Sequence, residues 1–304
     1  MKVLVTGGAG FIGSNIVDGL IQNGYKTYVV DNLSSGKRDF LHPEAEFHNI
    51  NILEDDFISF FEKIRPDAVI HLAAQINVQK SIEKSAHDAE INILGTLKVL
   101  ELCKVYNSKL IYSSSAAVYG NPVFLPVNER HPIKPLSNYG ISKYTPEMYI
   151  SLYSQQYDLD YTILRYANVF GIRQEAEGEG GVVSVFIKKM LKNEPPVIYG
   201  NGEQTRDFIY VEDIVSANLA ALRKEYRGVL NISCNEEITI NTLVDEINNL
   251  LNKKLSPIHK KYRPGDILNS CLDNELALKQ LHWKPVFTLR EGLRKTIEYY
   301  KSQP

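Results

Sequence analysis

Short apolar runs punctuate the first half of the chain. Residues 2–6 (KVLVT), 27–30, 46–50, 68–72, 109–112 and 161–165 read as strands, buried where β-branched residues dominate. Stretches with helical spacing lie between several of them. Ile12, Ile16, Leu20 and Ile21 share one helix face, ending at Asn23-Gly24. Residues 55–64 read as a second helix, stopped by Pro66. From about His87 to Tyr106 a longer helix carries Ile91, Leu94, Leu97, Val99, Leu100 and Leu102 around much of its circumference. That pattern suits burial against a sheet plus a second interface. Residues 121–138, with Pro122, Pro126, Pro132 and Pro135, read as a loop feeding a helix that runs from near Tyr139 to about Tyr157.

Beyond Gly171 the pattern changes. Residues 175–181 form an acidic, glycine-rich loop, either a solvated surface loop or a lid. Helices follow at Val182–Leu191, after Tyr210-Val211-Glu212-Asp213, and at Leu289–Tyr300; the last, with Trp283-Lys284-Pro285, reads as structural. There is no internal repeat and no low-complexity tract.

The 304 residues are 44% hydrophobic and 23% charged, an ordinary globular composition with length for two lobes. A net charge of −2, from 34 basic and 36 acidic residues, leaves no polybasic footprint for nucleic acid. Cys103, Cys234 and Cys271 are far apart and form no CxxC, which reads as reduced thiols in a cytoplasmic protein, and no metal site is expected. The N-terminal apolar run is too short for a signal peptide, and no stretch approaches the ~20 apolar residues of a membrane span.

Two constellations carry chemistry. The first is GGAGFIG, with Gly7, Gly10 and Gly13 between the first strand and the first helix, and Asp31 ending the second strand. Glycines there permit a tight turn and close approach to a pyrophosphate, which the helix N-terminus attracts. A carboxylate at Asp31 accepts from ribose hydroxyls and repels a 2′-phosphate, favouring NAD over NADP. The second is Tyr139 and Lys143, at i and i+4, which a helix places on one face. A tyrosine is a weak base at its reference pKa of about 10. A neighbouring lysine cation favours the phenolate and makes Tyr139 a candidate proton acceptor for an alcohol. Ser113-Ser114-Ser115, ending the fifth apolar run, lie where open α/β sheets bind ligands.

With its GxxGxxG spacing and downstream Tyr-x-x-x-Lys, the chain resembles the extended short-chain dehydrogenase/reductase family. The strings DNLSSGK (31–37) and SSSAAVYG (113–120) resemble its nucleotide-sugar epimerase branch. The resemblance covers nearly the whole chain. It implies a doubly wound, mostly parallel Rossmann sheet binding NAD, with a smaller mixed C-terminal nucleotide-sugar lobe. The expected division is 1–171, with a returning segment near 208–232, and a discontinuous lobe over 172–304.

By position, the resemblance implies cofactor contacts from Gly7, Gly10, Phe11, Ile12, Gly13, Asp31, Asn32, Ser35 and Gly36. Asn51-Ile52 would lie beside the adenine, Asn51 standing where the family usually has aspartate. Leu72-Ala73-Ala74-Gln75 would pack on the cofactor, and Asn92, Tyr139 and Lys143 complete the set. His71, at a strand end among apolar residues, reads as structural. Ser115, Tyr139 and Lys143 are the implied catalytic residues. Asn168, Val182, Arg206, Arg263, Asp266 and Ser270, with Ser115, would hold a UDP-sugar. Ser270 falls where a tyrosine would exclude a 2-N-acetyl group, so its small side chain implies UDP-N-acetylglucosamine as a substrate besides UDP-glucose. Ala116-Ala117 lack the acids that sugar dehydratases and glucuronate decarboxylases carry there. The implied function is an NAD-dependent UDP-hexose 4-epimerase, an isomerase working through a 4-keto intermediate, with a homodimer as the family habit. A nucleotide-sugar 4-ketoreductase or dehydrogenase, and a non-catalytic NAD-sensing regulator, are the alternatives.

Overall fold

The computed structural model describes residues 1–175, 181–262 and 267–303. The first apolar run forms strand β1 (Lys2–Thr6), and the pattern continues through α1 (Phe11–Gln22), β2 (Lys26–Asp31), β3 (Glu46–Asn49), α2 (Asp55–Ile64) and β4 (Ala68–His71). Next come α3 (Val78–Glu83), α4 (Ser85–Ala89), a π-helical turn (Glu90–Leu94), α5 (Gly95–Tyr106), β5 (Lys109–Ser115), α6 (Asn138–Tyr157) and β6 (Tyr161–Tyr166). The remainder is β7 (Asn168–Phe170), α7 (Val182–Leu191), β8 (Val197–Tyr199), β9 (Thr205–Arg206), β10 (Phe208–Tyr210), α8 (Val211–Arg223) and β11 (Gly228–Ile232). It ends with β12 (Ile238–Thr239), α9 (Ile240–Leu251), β13 (Ile258–Lys260), α10 (Glu275–Leu281) and α11 (Leu289–Ser302).

Seven strands form one parallel sheet in the order β11-β6-β5-β4-β1-β2-β3. Its central strands β1 and β4 are buried on both faces because helices cover both. Alternate side chains of β1 feed two cores. Val3 and Val5 pack with Ile16 of α1 and Ile214 of α8, and Leu4 packs with Phe57 of α2, Leu100 of α5 and Tyr112 of β5. From β1 the chain winds outward to β2 and β3, then returns to β4 on the other side and continues to β5, β6 and β11. The switch point lies between β1 and β4, and the crevice at their carboxyl ends is where such sheets hold ligands.

A third core unites Phe186 and Met190 of α7, Leu243 and Ile247 of α9, and Leu293 and Ile297 of α11. Around it, β7 pairs with β10 and β8 with β13 in parallel, while β9 and β12 run antiparallel. Strand β11 lies in the large sheet beside β6 although its sequence follows part of this third core.

Two expectations need correction. Strand β5 does not stop at Tyr112 but runs through Ser115, with Ser113, Ser114 and Ser115 in register with Leu164, Arg165 and Tyr166. Buried hydroxyls are tolerated there because each is bonded: Ser113 to the Tyr166 hydroxyl at 3.1 Å and Ser114 to Glu147 at 2.5 Å. The stretch 87–106 is not one uniform helix. Asn92 turns its amide onto both backbone groups of Gln75, accepting from its N–H at 2.7 Å and donating to its carbonyl at 2.9 Å, within the π-helical turn.

Candidate active site

The glycine turn stands at the switch point. Gly7 has φ +72°, and a Cβ there would lie 2.7 Å from the Ala73 amide nitrogen, just after β4. Only glycine meets both demands. A Cβ on Gly13 would lie 2.2 Å from the Gly7 carbonyl, so the first turn of α1 rests directly on the turn that precedes it. Gly10 caps α1 without a side-chain hydrogen bond, and no acidic residue occupies the first helical turn. The N–H groups at that end suit an anion. Phe11 and Ile12 open the helix, partly exposed.

Asp31 is buried at the end of β2. Its carboxylate accepts from the Ala9 N–H at 3.0 Å and the Leu33 N–H at 2.8 Å. Burial raises its pKa, and the two backbone donors oppose that rise. The loop that follows folds back over the glycine turn: Lys37 N–H bonds the Ala9 carbonyl at 2.9 Å, and a Cβ on Gly36 would lie 2.9 Å from Ala9 Cβ. Asn32 and Ser35 are exposed on this loop. Asn51 folds its side chain onto the Leu53 N–H at 3.1 Å, and Ile52 is buried beneath Gly95.

The turn after β4 places Leu72, Ala73 and Ala74 partly exposed at the crevice. Gln75 is turned inward, donating to Asp88 at 2.7 Å and to the Asn77 carbonyl at 3.0 Å. Asn92 also donates to Ser142 of α6 at 2.9 Å and to Asp88 at 3.2 Å. It thus ties the β4 turn to the Tyr139 helix. His71 lies between two threonines. Thr96 donates to the Asn92 carbonyl at 2.6 Å, so it accepts from His71 Nε2 at 3.0 Å, and His71 Nδ1 accepts from Thr6 at 2.6 Å. Burial pushes the pKa of His71 down to about 3, with Lys143 adding to the effect. This imidazole is neutral and structural.

Helix α6 starts at the Ser137 cap, whose hydroxyl accepts from the Gly140 N–H at 3.1 Å. A Cβ on Gly140 would lie 2.8 Å from the Ala117 carbonyl, so the first turn of α6 sits against the bend after Ser115. Tyr139 is in that turn, partly exposed, its N–H donating to Ser81 of α3 at 3.1 Å. Ser115 ends β5, with its hydroxyl accepting from the Ala117 N–H at 3.2 Å. Lys143 is 5% exposed, its ammonium 4.9 Å from the centre of the Tyr112 ring. Burial pulls its pKa down to about 8, against the opposing pull of Glu147 and Asp88.

At the second lobe, Asp207 is fully buried and gathers three segments. Its carboxylate accepts from the backbone N–H groups of Cys234, Asn235 and Leu272 at 3.0–3.1 Å, and its carbonyl accepts from the Asn168 N–H at 2.9 Å. Burial pushes its pKa up to about 7. Arg206 precedes it, partly buried, with Nη1 donating to the Thr205 carbonyl at 2.7 Å. Ser270 is partly buried and donates its N–H to Thr205 Oγ1 at 3.3 Å. Asn168 is exposed at the head of β7 and Val182 partly exposed at the head of α7. Arg263 and Asp266 lie outside the described residues, as do residues 176–180 of the acidic loop. Lys37 pairs with Glu175 at 2.6 Å, joining the loop after β2 to the start of the acidic stretch.

Sequence reasoning passed over Glu147, Asp88 and Asp207. Glu147 had a visible signal, continuing the Tyr139–Lys143 stripe by one more turn. Asp88 and Asp207 had none beyond being charged residues within otherwise ordinary segments.

A parallel sheet with a glycine turn at its switch point, and a Tyr–Lys pair beside the end of a neighbouring strand, define a dinucleotide-dependent enzyme of the short-chain type. The model of the NAD dependent epimerase/dehydratase family matches residues 3–233, and the chain belongs to that family. A Methanocaldococcus jannaschii protein provisionally named a UDP-glucose 4-epimerase is 46% identical over 302 residues, covering 99% of this chain and 98% of its own. A Thermotoga maritima UDP-glucose 4-epimerase, solved with UDP-glucose, superposes with a TM-score of 0.97 at 44% identity over 99% of both chains. A Methanobrevibacter ruminantium UDP-N-acetylglucosamine 4-epimerase, solved with UDP-N-acetylmuramic acid, gives 0.96 at 38% identity over 100% of this chain and 99% of that one. The family's NAD fits the residues present: the Gly7–Gly13 turn, the open N-terminus of α1 and the Asp31 carboxylate stand on one crevice. Among the described residues no helix is long and apolar enough to cross a membrane.

Proposed function

We propose that the protein is a UDP-hexose 4-epimerase acting on UDP-glucose and UDP-galactose and on their 2-N-acetyl counterparts. The observation that carries this reading is the Tyr139–Lys143 pair, with Lys143 buried and the first turn of α6 against the bend after Ser115. Tyr139 takes the proton of the sugar 4-hydroxyl, Ser115 orients that hydroxyl, and Lys143 favours the phenolate. Gly7, Gly10, Gly13 and Asp31 would hold NAD, which would supply a reversible hydride acceptor for C4 of the sugar. Arg206, with Arg263 and Asp266, anchors the diphosphate and uridine end, so the sugar turns without leaving. Net redox is zero, and Gly7, Gly10, Gly13 and Asp31 hold the cofactor between turnovers. Ser270 leaves room for an acetamido group, which similarity to epimerases of both sugar types supports.

The test is an NMR time course with UDP-glucose and UDP-N-acetylglucosamine, each without added NAD. Both should epimerise. Ser270→Tyr should lose the N-acetyl activity by steric exclusion and keep most of the UDP-glucose activity. Turnover of UDP-glucose alone, or equal loss of both activities in Ser270→Tyr, overturns the assignment of Ser270, and absence of turnover on both sugars overturns the epimerase reading.

The same proposal includes a homodimer through α5 and α6. Leu94 in the π-helical turn is 57% exposed, and Met148 and Leu152, one turn apart on α6, are 51% and 43% exposed. Together they offer apolar surface that a second copy would cover.

A further inference from the structure

We propose that Glu147 is a positioning residue of the reaction centre: its carboxylate holds helix α6 to the end of β5, one helical turn from Lys143, where its charge bears on the ammonium. The inference rests on the epimerase reading for the role of Tyr139 and Lys143, but on independent geometry for Glu147.

Glu147 lies one turn beyond Lys143 and two beyond Tyr139 on α6, so the three project along one stripe. It is 4% exposed. Its Oε1 accepts from Ser114 Oγ at 2.5 Å and from Arg165 Nε at 3.1 Å, and its Oε2 accepts from Arg165 Nη2 at 2.5 Å. Ser114 is the residue before Ser115, so the bond sets the catalytic strand end against the catalytic helix. Arg165 continues the chain of bonds, donating from Nη1 to the Tyr119 hydroxyl at 2.9 Å, and Tyr119 donates to Asn231 at 2.7 Å. Asn231 then donates to the carbonyls of Val127 and Asp273, the latter three residues past Ser270. A buried polar path thus runs from the Lys143 turn to the segment that carries Ser270. A buried ion pair contributes little net stability by itself, so we assign this one to fixing the geometry of α6 against β5.

Among the described residues, the groups that bear on the Lys143 ammonium are Glu147 on its own helix, the Tyr112 ring on β5, neutral His71 on β4 and Asp88 on α4. The anions are Glu147 and Asp88. Asp88 accepts from the neutral amides of Gln75 and Asn92, and the Arg165 cation offsets part of the Glu147 charge, so Arg165 sets how much of that charge reaches Lys143. Loss of the Glu147 charge disfavours the ammonium and shifts the shared proton toward Tyr139, so less phenolate is present at a given pH.

The experiment compares NAD-bound wild type, Glu147→Gln, Arg165→Lys and Arg165→Met. For each, kcat is followed against pH with UDP-glucose. The phenolate ultraviolet band that Tyr139→Phe removes is measured without any sugar. Glu147→Gln should move the alkaline limb of kcat down by about one pH unit and weaken the phenolate band, with KM within a few-fold. Arg165→Lys keeps the charge count, so it should lower Tm and leave the limb in place. Arg165→Met leaves Glu147 less neutralised and should move the limb up. A Glu147→Gln protein with lower Tm and kcat but an unmoved limb and an unchanged band overturns the proposal. If Glu147→Gln does not fold, an unmoved limb in Arg165→Met overturns it instead. The phenolate band needs no turnover, so failure of this proposal is distinguishable from failure of the epimerase reading.

Discussion

At the scale of single residues, the site depends on a buried cation. Lys143 has its pKa pulled from 10.5 to about 8 by burial. The folded state therefore binds fewer protons than the unfolded chain between about pH 8 and 10.5, and stability from this group rises with pH across that window. The cost of burying the ammonium is fully present below about 8. On the proposed role of Tyr139, activity runs the other way, since the cation that would support its phenolate is lost as pH rises through about 8. A kcat profile with an alkaline limb near that value, alongside a Tm that does not fall there for the same reason, is the expected pair of curves. Tyr139→Phe should lower kcat by about 10²–10⁴-fold or more while UDP-sugar affinity stays within a few-fold. Retention of a tenth of wild-type activity would remove Tyr139 from the role of base.

At the scale of elements, the glycine turn and α1 behave as one piece. Gly13 has ordinary helical conformation, so its requirement comes from proximity: a methyl group there would meet the Gly7 carbonyl at 2.2 Å, and backbone cannot swing aside as a side chain would. Gly13→Ala should push α1 off the turn, so that the protein purifies with less NAD and melts at lower temperature. An unchanged ratio of bound NAD to protein would show that the turn tolerates the displacement. The π-helical turn is the other element with a purpose legible in its bonds. Its wider backbone accompanies Asn92, which joins the β4 turn, α4 and α6. Straightening it would leave several buried polar groups without partners, each costing about 1–3 kcal/mol.

At the scale of the molecule, the segments that build the large sheet and those that build the third core are interleaved in the chain. Helix α8 packs against α1, where a Cβ on Gly19 would lie 2.3 Å from Val215 Cγ1, and β11 then joins the large sheet beside β6. Asp207 and Asp213 work as buried staples: Asp213 accepts from the N–H groups of Val286 and Phe287 at 2.9 and 3.2 Å, as Asp207 does for its three donors. The proposed second copy would cover the exposed apolar side chains Leu94, Met148 and Leu152. Met148→Glu combined with Leu152→Glu should give a monomer by sedimentation, with far-ultraviolet circular dichroism unchanged. A wild type that sediments as a monomer at micromolar concentration would rule out the dimer.

Local chemistry was legible in the chain itself. Strand-turn-helix order around Gly7, Gly10 and Gly13, the acid at Asp31 and the i, i+4 spacing of Tyr139 and Lys143 are short-range facts, and short-range geometry follows from backbone sterics and helical period. The end of β5 was placed short of the true one because Ser113–Ser115 look like a turn until the hydroxyl partners Tyr166 and Glu147 arrive from elsewhere in the chain. The same reason hid Asp88 and Asp207, and left the visible stripe position of Glu147 without a role. Each is one more charged residue by composition, and each becomes an organising group only when burial removes water and leaves specific donors around it. The sequence by itself determined which residues could do chemistry. Tertiary structure decided which carboxylates are buried beside them, because desolvation and partner geometry arise only where distant segments meet.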